Sequence, residues 1–370
     1  MRITMKRTQK ILLGIFSLGV IMLGVGGAVM WTISFHPAEI QTEPITCSGQ
    51  PPVLEPGRVL KILNYNVQFM AGKGYVFFFD MPNFDGPDER PSAEVIGHTI
   101  EHVARIIREE SPDIILLQEV DDGAKRTDYE DQLARLLDIL PPEYACHASA
   151  FYWKAPFVPH SRIMGAVGMK LSTISKYRLT AATRHQLALV PTNPFFRQFS
   201  LKRAVLETHF PVRGRDNFVV LNVHAEAFAE GSDVVQRQME QIDALLRNLT
   251  RAGHPWVIGG DFNALPPISE ARTRLPAAEQ GYYRPHSEMK LLLDEYRSVP
   301  SLRNVGGPNY ADWFTYFPNT PLVNAPDRTI DYILFSDGIE LRNAAVKQDD
   351  ALSVSDHLPV IIEFTLKNSE

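Results

Sequence analysis

The sequence contains very little cysteine: Cys47 and Cys146 are the only two among 370 residues. Their number and spacing exclude a thiolate-rich zinc site and a framework of several disulfides. The two side chains could pair in an oxidising compartment, or both could remain free thiols. The sequence alone leaves both alternatives open.

The chain also lacks an excess of basic residues. Its formal net charge is −6, and no block of lysine and arginine interrupts the sequence. A protein that holds nucleic acid mainly through its phosphates normally carries such a basic surface, so the composition argues against that mode of binding. With 45% hydrophobic residues, the chain has enough apolar side chains for a folded protein with a sizeable core.

Charge is absent altogether from one long apolar run near the N-terminus, residues 11–35. A run of about 20 apolar residues is long enough to span a bilayer, whereas the apolar part of a cleaved signal peptide is usually shorter. We therefore favour an uncleaved signal anchor at 11–35 over a cleaved signal, with residues 1–10 as a basic cytoplasmic N-terminus. Arg2, Lys6, Arg7 and Lys10 lie before the run. The rest of the chain is then expected on the non-cytoplasmic side of a single-pass membrane protein, facing the periplasm or exterior of a bacterium.

Beyond the anchor, we expect a linker at 36–58, which is rich in proline, glycine and polar residues, and one catalytic domain at 59–368. Helical spacing of apolar residues follows Ser92 and Asp233, while continuous apolar runs such as DIILLQEV and NFVVLNVHA are typical of buried strands. Helices that alternate with buried strands in two successive halves predict an α/β fold. The expected architecture is a four-layered α/β sandwich of two packed mixed β-sheets flanked by helices, preceded by one transmembrane helix.

Several predicted strands end in polar residues that a plain core would not contain. In the segment VIGGDFNALPP, residues 257–267, Gly259 and Gly260 predict a tight turn that delivers Asp261 and Asn263. Each such residue has an ordinary structural explanation when taken alone, as a turn, a cap or a solvated side chain. Together they indicate one polar rim, because unpaired polar groups are costly to bury. The strand-end residues are Asn66, Glu119, His224, Asp261, Asn263, Asp331, Asp356 and His357.

The chemistry of this set favours hydrolysis of a phosphate ester. Carboxylate and amide oxygens suit a hard divalent cation, and no thiolate cluster favours zinc. Histidines beside carboxylates suit proton transfer. A metal ion near them can polarise a phosphoryl oxygen and stabilise the leaving oxygen.

The order of these motifs resembles the endonuclease/exonuclease/phosphatase superfamily, which includes deoxyribonuclease I, abasic-site endonucleases, neutral sphingomyelinases and inositol polyphosphate 5-phosphatases. The matching segments are LNYNVQ, LLQEV, LNVHAE, GGDFNA, TIDYIL and SDHLPV, and they span residues 63–360. The resemblance implies that Glu119 is the principal ligand of Mg²⁺ (or Mn²⁺), with Asn66 beside it and Asp356 on the other side of the metal. Whether one metal or two act is left open.

The same resemblance implies the catalytic roles. Asp261 and Asn263 orient the attacking water and a phosphate oxygen. His357, paired with Asp331, contacts the phosphate as a base or as an electrostatic clamp, and members of the superfamily differ on this point. His224 matches a histidine that some members direct towards the leaving group.

The superfamily acts on several classes of substrate, so the fold does not fix this one. The segment SRIMGAVGMKLST is loosely similar to the sphingomyelinase-like and glycolipid-remodelling branches, although Ser172-Thr173 replaces their usual Ser-Arg. Three aromatic-rich segments lie outside the motifs, GYVFFFDMPNF, FYWKAPFVPH and PTNPFFRQF. They could enter a lipid interface, stack on nucleic acid bases or simply pack loops.

We therefore expect a membrane-tethered, Mg²⁺-dependent phosphodiesterase acting on a phospholipid or a phosphorylated headgroup, and nothing in the sequence indicates an obligate protein partner. An extracytoplasmic nuclease is the first alternative. A catalytically silent binding module of the same fold is the second.

Overall fold

The structure, a computed structural model, describes residues 7–81, 83–227 and 231–367. Its first element is the helix α1, Arg7–Ile33, in which no residue is buried. Within the described ranges α1 alone is long and apolar enough to cross a membrane, with a mean hydropathy of 2.3. Arg2 and Lys6 of the expected basic N-terminus, and residue 368 at the end of the expected domain, lie outside the described residues.

Fourteen strands and seven further helices follow α1. The strands are β1 (Ile40–Thr42), β2 (Ile45–Cys47), β3 (Val59–Asn66), β4 (Ile114–Asp121), β5 (Cys146–Val158), β6 (Gly165–Ser175), β7 (Ala181–Gln186), β8 (Ala204–Val212), β9 (Arg215–His224), β10 (Trp256–Asp261), β11 (Arg297–Val299), β12 (Asp331–Phe335), β13 (Ile339–Val346) and β14 (Val360–Leu366). The helices are α2 (Ala93–Glu110), α3 (Gln132–Ile139), α4 (Pro194–Arg197), α5 (Val234–Arg251), α6 (Ser269–Thr273), α7 (Lys290–Glu295) and α8 (Leu302–Gly306). These counts refer to the part of the chain that the structure describes.

The strands form two seven-stranded mixed sheets. The first has the order β1-β7-β8-β9-β10-β12-β11, and the second has the order β13-β14-β3-β4-β6-β5-β2. The β9–β10 and β3–β4 pairs are parallel, and the other pairs within the sheets are antiparallel. In each sheet, the two strands of the parallel pair near the centre therefore have their carboxyl ends at the same edge of that sheet.

Apolar contacts arrange these elements in four layers. The core between the sheets includes Leu116 from the second sheet and Val220 from the first. On the outer faces, α2 and α3 pack on the second sheet, and α5 and α7 pack on the first. The expected sandwich of two mixed sheets flanked by helices is confirmed. Burial of each large aliphatic side chain in these layers contributes about 1.5–3 kcal/mol.

Local signals place the helices as expected. Ser92 caps α2, and its hydroxyl accepts a hydrogen bond from the backbone N–H of Val95. The helix ends at Ser111, in a left-handed conformation (φ 46°), immediately before Pro112. The cap supplies an acceptor to the first turn, and the residue preceding a proline disfavours the helical region.

Residues 36–58, expected to be a linker, contribute strands to both sheets. β1 pairs with β7, and β2 pairs with β5. In the second pair Cys47 lies directly opposite Cys146, and the two form a disulfide bond. Leu54 is fully buried in the core between the sheets. These strands are only three residues long, so their sequence carries no detectable alternation.

The glycines of β10 serve close packing and not the turn predicted for them. Gly259 and Gly260 lie inside the strand. A Cβ atom on Gly260 would lie 1.9 Å from the backbone oxygen of Val223 on β9, and one on Gly259 would lie 2.8 Å from Leu116 across the interface. The glycines therefore let β10 approach both its neighbour and the opposite sheet.

Candidate active site

The first sheet aligns three of the predicted residues side by side. In the register of its strands, Asp261 at the end of β10 is the partner of His224 on parallel β9 and of Asp331 on antiparallel β12. The carboxyl ends of β9 and β10 thus meet the amino end of β12 at one edge. This alignment places the His224 Nε2 atom 3.3 Å from Asp261 Oδ2.

The second sheet brings its polar residues to the same end of the sandwich. Asn66 ends β3, and its side-chain amide Nδ2 donates to Glu119 Oε1 (3.2 Å) and to Asp261 Oδ2 (3.1 Å). Antiparallel β14 begins beside the end of β3, so Asp356 and His357 arrive just before its first residue. The hydrogen bond from Asn66 to Asp261 joins the two sheets at the site.

Two of these residues have strained backbones. Glu119 has φ 58° and lies at a β-bulge between Leu117 and Val120, while Asn263 has φ 52°. Left-handed conformations are unfavourable for residues other than glycine and concentrate at functional sites. The backbone N–H of Asn263 donates to Asp261 Oδ1 (2.9 Å), and its side-chain amide donates to the Ala225 carbonyl oxygen (3.2 Å). These bonds hold both ends of Asn263 in place.

His357 is held in a cage of carboxylates. Its Nδ1 atom lies 2.9 Å from Asp331 Oδ2, and its Nε2 atom lies 3.5 Å from Asp261 Oδ2 and 4.0 Å from Asp356 Oδ1. Burial alone would lower the pKa of His357, but the charges of Asp331, Asp261 and Asp356 outweigh it and raise the pKa to about 10. The net effect favours the charged ring at neutral pH, in which both ring nitrogens carry a proton.

His224 has the opposite charge state. Burial lowers its pKa well below the usual value, and the positive charges of Arg203 and His357 lower it further. The Tyr152 hydroxyl lies 3.1 Å from His224 Nδ1, and burial raises the pKa of that phenol well above its usual value. The phenol therefore donates to Nδ1. In the neutral imidazole the proton then lies on Nε2, which faces Asp261.

The carboxylates carry more negative charge than the protein neutralises. Burial raises the pKa of Asp356 to about 6, and the negative charge of Glu119 acts in the same direction. Burial, together with the charge of Asp331, raises the pKa of Asp261 to about 7 against the lowering effect of His357. A divalent cation would remove this cost, and the oxygen donors of Glu119 and Asp356 suit Mg²⁺. The residues present therefore fit a bound metal.

Ligand atoms of Asp261, Asp331 and His357 also lie within 4.8 Å of one another. Among the described residues, these three side chains form a compact group of potential metal ligands. In this group, however, the negative charge of Asp331 is already balanced by the positive charge of His357. Next to Glu119, the Oδ1 atom of Asn66 accepts from the Gln68 backbone N–H, and this hydrogen bond orients the Asn66 side chain.

The same cavity is also lined by side chains that were not selected from the sequence, among them Gln68, Asp80 and Arg203. Arg203 is only 3% exposed, its Nε and Nη1 atoms have no hydrogen-bond partner among the described residues, and its Nη2 atom lies 3.8 Å from Glu226. By contrast, Arg328 in the opposite wall is paired with Asp327 and Glu279. No strand-end pattern marks Arg203, since it precedes β8 at the strand's amino end.

Asp80 reaches the cavity from the loop that follows β3. Its Oδ2 atom accepts from the Phe77 backbone N–H (2.8 Å), and burial followed by the charge of Asp356 raises its pKa to about 8. Lys73, in the same loop, donates from Nζ to the Phe317 carbonyl oxygen (2.5 Å) and so ties this loop to the one on the far side of the cavity. The aromatic segment GYVFFFDMPNF thus supplies a wall of the site.

Comparisons with known proteins agree with this geometry. The sequence pattern of the Endonuclease/Exonuclease/phosphatase family matches residues 64–357. A UPF0294 protein of Photorhabdus laumondii is 26% identical over 186 residues, which are 50% of this chain and 57% of that protein. A UPF0294 protein of Vibrio parahaemolyticus is 24% identical over 216 residues, 58% of this chain and 61% of that protein. The matches thus span about three fifths of the length of these relatives.

Two solved structures share the fold. An endonuclease/exonuclease/phosphatase from Beutenbergia cavernae superimposes with a TM-score of 0.54 at 20% identity, covering 84% of this chain and 72% of that one. A family protein from Leptotrichia buccalis gives 0.53 at 15% identity, covering 83% of this chain and 100% of that one. With the family pattern matched from Asn64 to His357, across both sheets and the whole polar rim, the chain belongs to the Endonuclease/Exonuclease/phosphatase family, whose members are generally hydrolases of phosphate esters.

Proposed function

We propose that this protein is a divalent-metal-dependent phosphodiesterase, held at a membrane by α1, that cleaves a phospholipid or a phosphorylated headgroup. One observation carries the reaction class. Asp261 lies between register partners His224 and Asp331 and faces the imidazolium of His357, in a cavity that Glu119 and Asp356 also line. His357 as an acid, Asp261 as a base, and Glu119 with Asp356 as cation-binding groups thus surround a space for a phosphate.

The mechanism assigns complementary tasks to these groups. Water attacks phosphorus while Asp261 accepts its proton, and Asn263 fixes the orientation of the water. The P–O bond to the alcohol breaks as His357 donates a hydrogen bond from Nε2 to a non-bridging oxygen. Neutral His224 donates a hydrogen bond from Nε2 to the leaving oxygen. That oxygen takes its proton from solvent, and Asp261 afterwards releases to solvent the proton that it accepted from water. Glu119 and Asp356, with Asn66 beside them, would hold Mg²⁺, which would supply charge neutralisation to the phosphoryl and leaving oxygens.

Arg203 supplies the remaining positive charge. Its unpaired Nε and Nη1 groups lie in the cavity wall beside Tyr152, whose ring centroid is 5.3 Å from the guanidinium carbon. A buried guanidinium without full hydrogen bonding is costly, and a phosphate oxygen provides the missing acceptors. We therefore assign Arg203 to the second non-bridging oxygen of the substrate phosphate.

The surroundings of α1 support a lipid substrate over a nucleic acid. Met30, near the end of α1, packs against a small apolar cluster that includes Phe199. The Phe199 ring contacts Phe195, and Phe195 and Phe196 are 59% and 56% exposed. Exposed aromatic rings beside a membrane helix suit the interfacial region of a bilayer. We therefore propose that the aromatic rings of the segment PTNPFFRQF contact the membrane interface.

The disulfide supports the expected side of the membrane. A Cys47–Cys146 bond forms and persists in oxidising compartments such as the periplasm, and not in a reducing cytoplasm. Because this bond joins β2 to β5 inside the catalytic domain, we infer that the domain lies on the non-cytoplasmic side.

A panel of substrates tests the proposal. The full chain in detergent is given anionic phospholipid vesicles, plasmid DNA, RNA and inositol phosphates, each with Mg²⁺ and with EDTA. We expect Mg²⁺-dependent release of a headgroup from the vesicles and none from His357→Ala. Cleavage of DNA or RNA without cleavage of lipid would establish the nuclease alternative, and binding without any hydrolysis would establish the silent binding module.

A further inference from the structure

The side chain of Gln68 is buried in the wall of the active-site cavity without using its hydrogen-bonding capacity. It is 2% exposed, and neither Nε2 nor Oε1 has a partner among the residues that the structure describes. Most buried side-chain amides are paired, because each unmade hydrogen bond carries a desolvation penalty. A core position of this kind would be more stable with an apolar residue, so the amide requires an explanation.

The backbone around Gln68 is held in a strained conformation that keeps the side chain in place. Gln68, Phe69 and Met70 are three consecutive left-handed residues, with φ values of 45°, 41° and 56°. The Gln68 N–H donates to Asn66 Oδ1 (3.0 Å), and the Gln132 amide donates to the Phe69 carbonyl oxygen (2.7 Å). Such strain persists only where the surroundings enforce it, and it is concentrated at ligand sites. Strain and an unpaired amide therefore coincide at one residue of the cavity.

We propose that Gln68 binds a hydroxyl group on the alcohol that remains esterified to the phosphate, so that the enzyme selects phosphodiesters of small polyols. This inference rests on the phosphodiesterase function proposed above. A carboxamide offers both a donor and an acceptor, which a hydroxyl group matches with its own acceptor and donor. Phosphate oxygens can only accept and a quaternary ammonium can do neither, so those groups would leave part of the amide unpaired.

The size of the cavity agrees with a small polyol. Its volume is about 150 Å³, which is room for a group larger than a few water molecules. Phe79 and Tyr283 also line it. A cavity of this size suits a small polyol group.

A matched pair of esters tests the assignment. The 4-methylumbelliferyl phosphodiesters of glycerol and of n-propanol share a leaving group and differ only in two hydroxyl groups. We expect the wild-type chain to favour the glycerol ester in kcat/KM by about tenfold or more, because a site that hydrogen-bonds a hydroxyl rejects an analogue without one. In Gln68→Leu the ratio should fall to near one. Gln236→Leu, at a half-buried position of α5 that does not line the cavity, is the matched control and should keep the wild-type ratio.

Thermal unfolding separates this role from a structural one. Leucine is close to glutamine in size and has no polar atoms, so Gln68→Leu should unfold at the same or a higher temperature if the amide serves only the substrate. Gln68→Asn, which keeps the amide on a shorter side chain, should give an intermediate ratio of the two esters and supplies a second test if the leucine variant does not fold.

Three outcomes would overturn the inference. Equal losses of kcat/KM on both esters, or a rise in the Mg²⁺ concentration needed for half-maximal rate, would assign Gln68 to the metal or the attacking water. A wild-type ratio near one would remove the hydroxyl subsite. No hydrolysis of either ester by the wild-type chain would instead contradict the phosphodiesterase function on which this inference rests.

Discussion

The imidazole of His357 and the carboxylate of Asp331 are joined by a 2.9 Å contact between Nδ1 and Oδ2, with both side chains almost completely buried. The two residues are 26 positions apart: Asp331 begins β12 of the first sheet, and His357 lies just before β14 of the second. The pair fixes the tautomer and the orientation of the ring and keeps the second nitrogen, Nε2, directed towards Asp261. The predictions below begin from this contact.

We predict that His357→Ala and Asp331→Asn disable the same step. Each single change should lower kcat on the order of 10³-fold, because an imidazole without its carboxylate loses both orientation and charge. The double variant should be little worse than the poorer single variant, since residues that act as a unit show non-additive losses. Steady-state kinetics on a soluble diester measures this. Multiplied losses in the double variant would show that the two residues act independently.

The rate should decline at alkaline pH through loss of the His357 proton. Nearby carboxylates raise the pKa of His357 to about 10, so the imidazolium is retained across neutral pH and is lost as the pH rises towards that value. Asp331→Asn removes the largest charge that raises this pKa. The residual activity of that variant should therefore decline at a lower pH than in the wild type, nearer to the usual value of about 6.5. A profile of kcat/KM from pH 6 to 9.5 tests the direction, and a shift to higher pH would contradict it.

Metal dependence should rest first on Glu119. Glu119→Gln removes the negative charge that a hard cation requires, so the Mg²⁺ concentration for half-maximal rate should rise about a hundredfold and turnover should fall steeply. Isothermal titration with Mg²⁺ gives a readout independent of turnover. Glu240→Gln, on the exposed side of α5, is the control and should bind Mg²⁺ as the wild type does. Full wild-type activity in EDTA would refute the metal requirement.

Arg203 should contribute to binding of the substrate phosphate. Arg203→Gln removes charge-assisted hydrogen bonds, so kcat/KM should fall by about 10- to 100-fold, with partial recovery in Arg203→Lys. Arg184→Gln is a suitable control, because Arg184 is also buried with one unpaired nitrogen but does not line the cavity. Equal kinetic losses in the two glutamine variants would indicate that Arg203 matters only for folding.

The anchor should affect lipid hydrolysis more than hydrolysis of a soluble ester. If α1 spans the bilayer, the protein should remain in the membrane fraction after a high-salt wash, and protease added to intact spheroplasts should digest the catalytic domain. Removal of residues 1–35 should slow vesicle hydrolysis more than hydrolysis of a soluble diester, because the tether raises the effective concentration of headgroups. The deletion must stop there, since Cys47 and Leu54 belong to the folded domain.

Phe195 and Phe196 offer a milder version of the same test. Replacing both by serine should weaken vesicle hydrolysis and leave a soluble diester unaffected, because these rings are exposed and lie outside the cavity. Equal effects of the 1–35 deletion on both substrates, or a mature N-terminus beyond residue 35, would leave the anchor without a catalytic role and favour a released nuclease.

The sequence by itself determined the sandwich and most of the polar rim at its end. Continuous apolar runs fixed the buried strands, and an acid or amide at the end of such a run, as at Asn66 and Asp261, has few stable places other than a polar rim. The charge-free run at 11–35 and the helix after Ser92 were equally readable, because their apolar spacing is a local property of the chain. The order of the motifs, which resembles that of the Endonuclease/Exonuclease/phosphatase family, then predicted roles for individual residues.

Only the tertiary structure decided the features that depend on neighbours distant in sequence. β1, β2 and β13 are short or half-exposed edge strands, so their sequences carry little periodicity. Gln68 and Arg203 became candidates only when their lack of partners was visible, which no residue type reveals. The opposite charge states of His224 and His357 have the same origin. Two identical imidazoles differ because burial beside Arg203 favours the neutral ring, whereas three facing carboxylates favour the charged one.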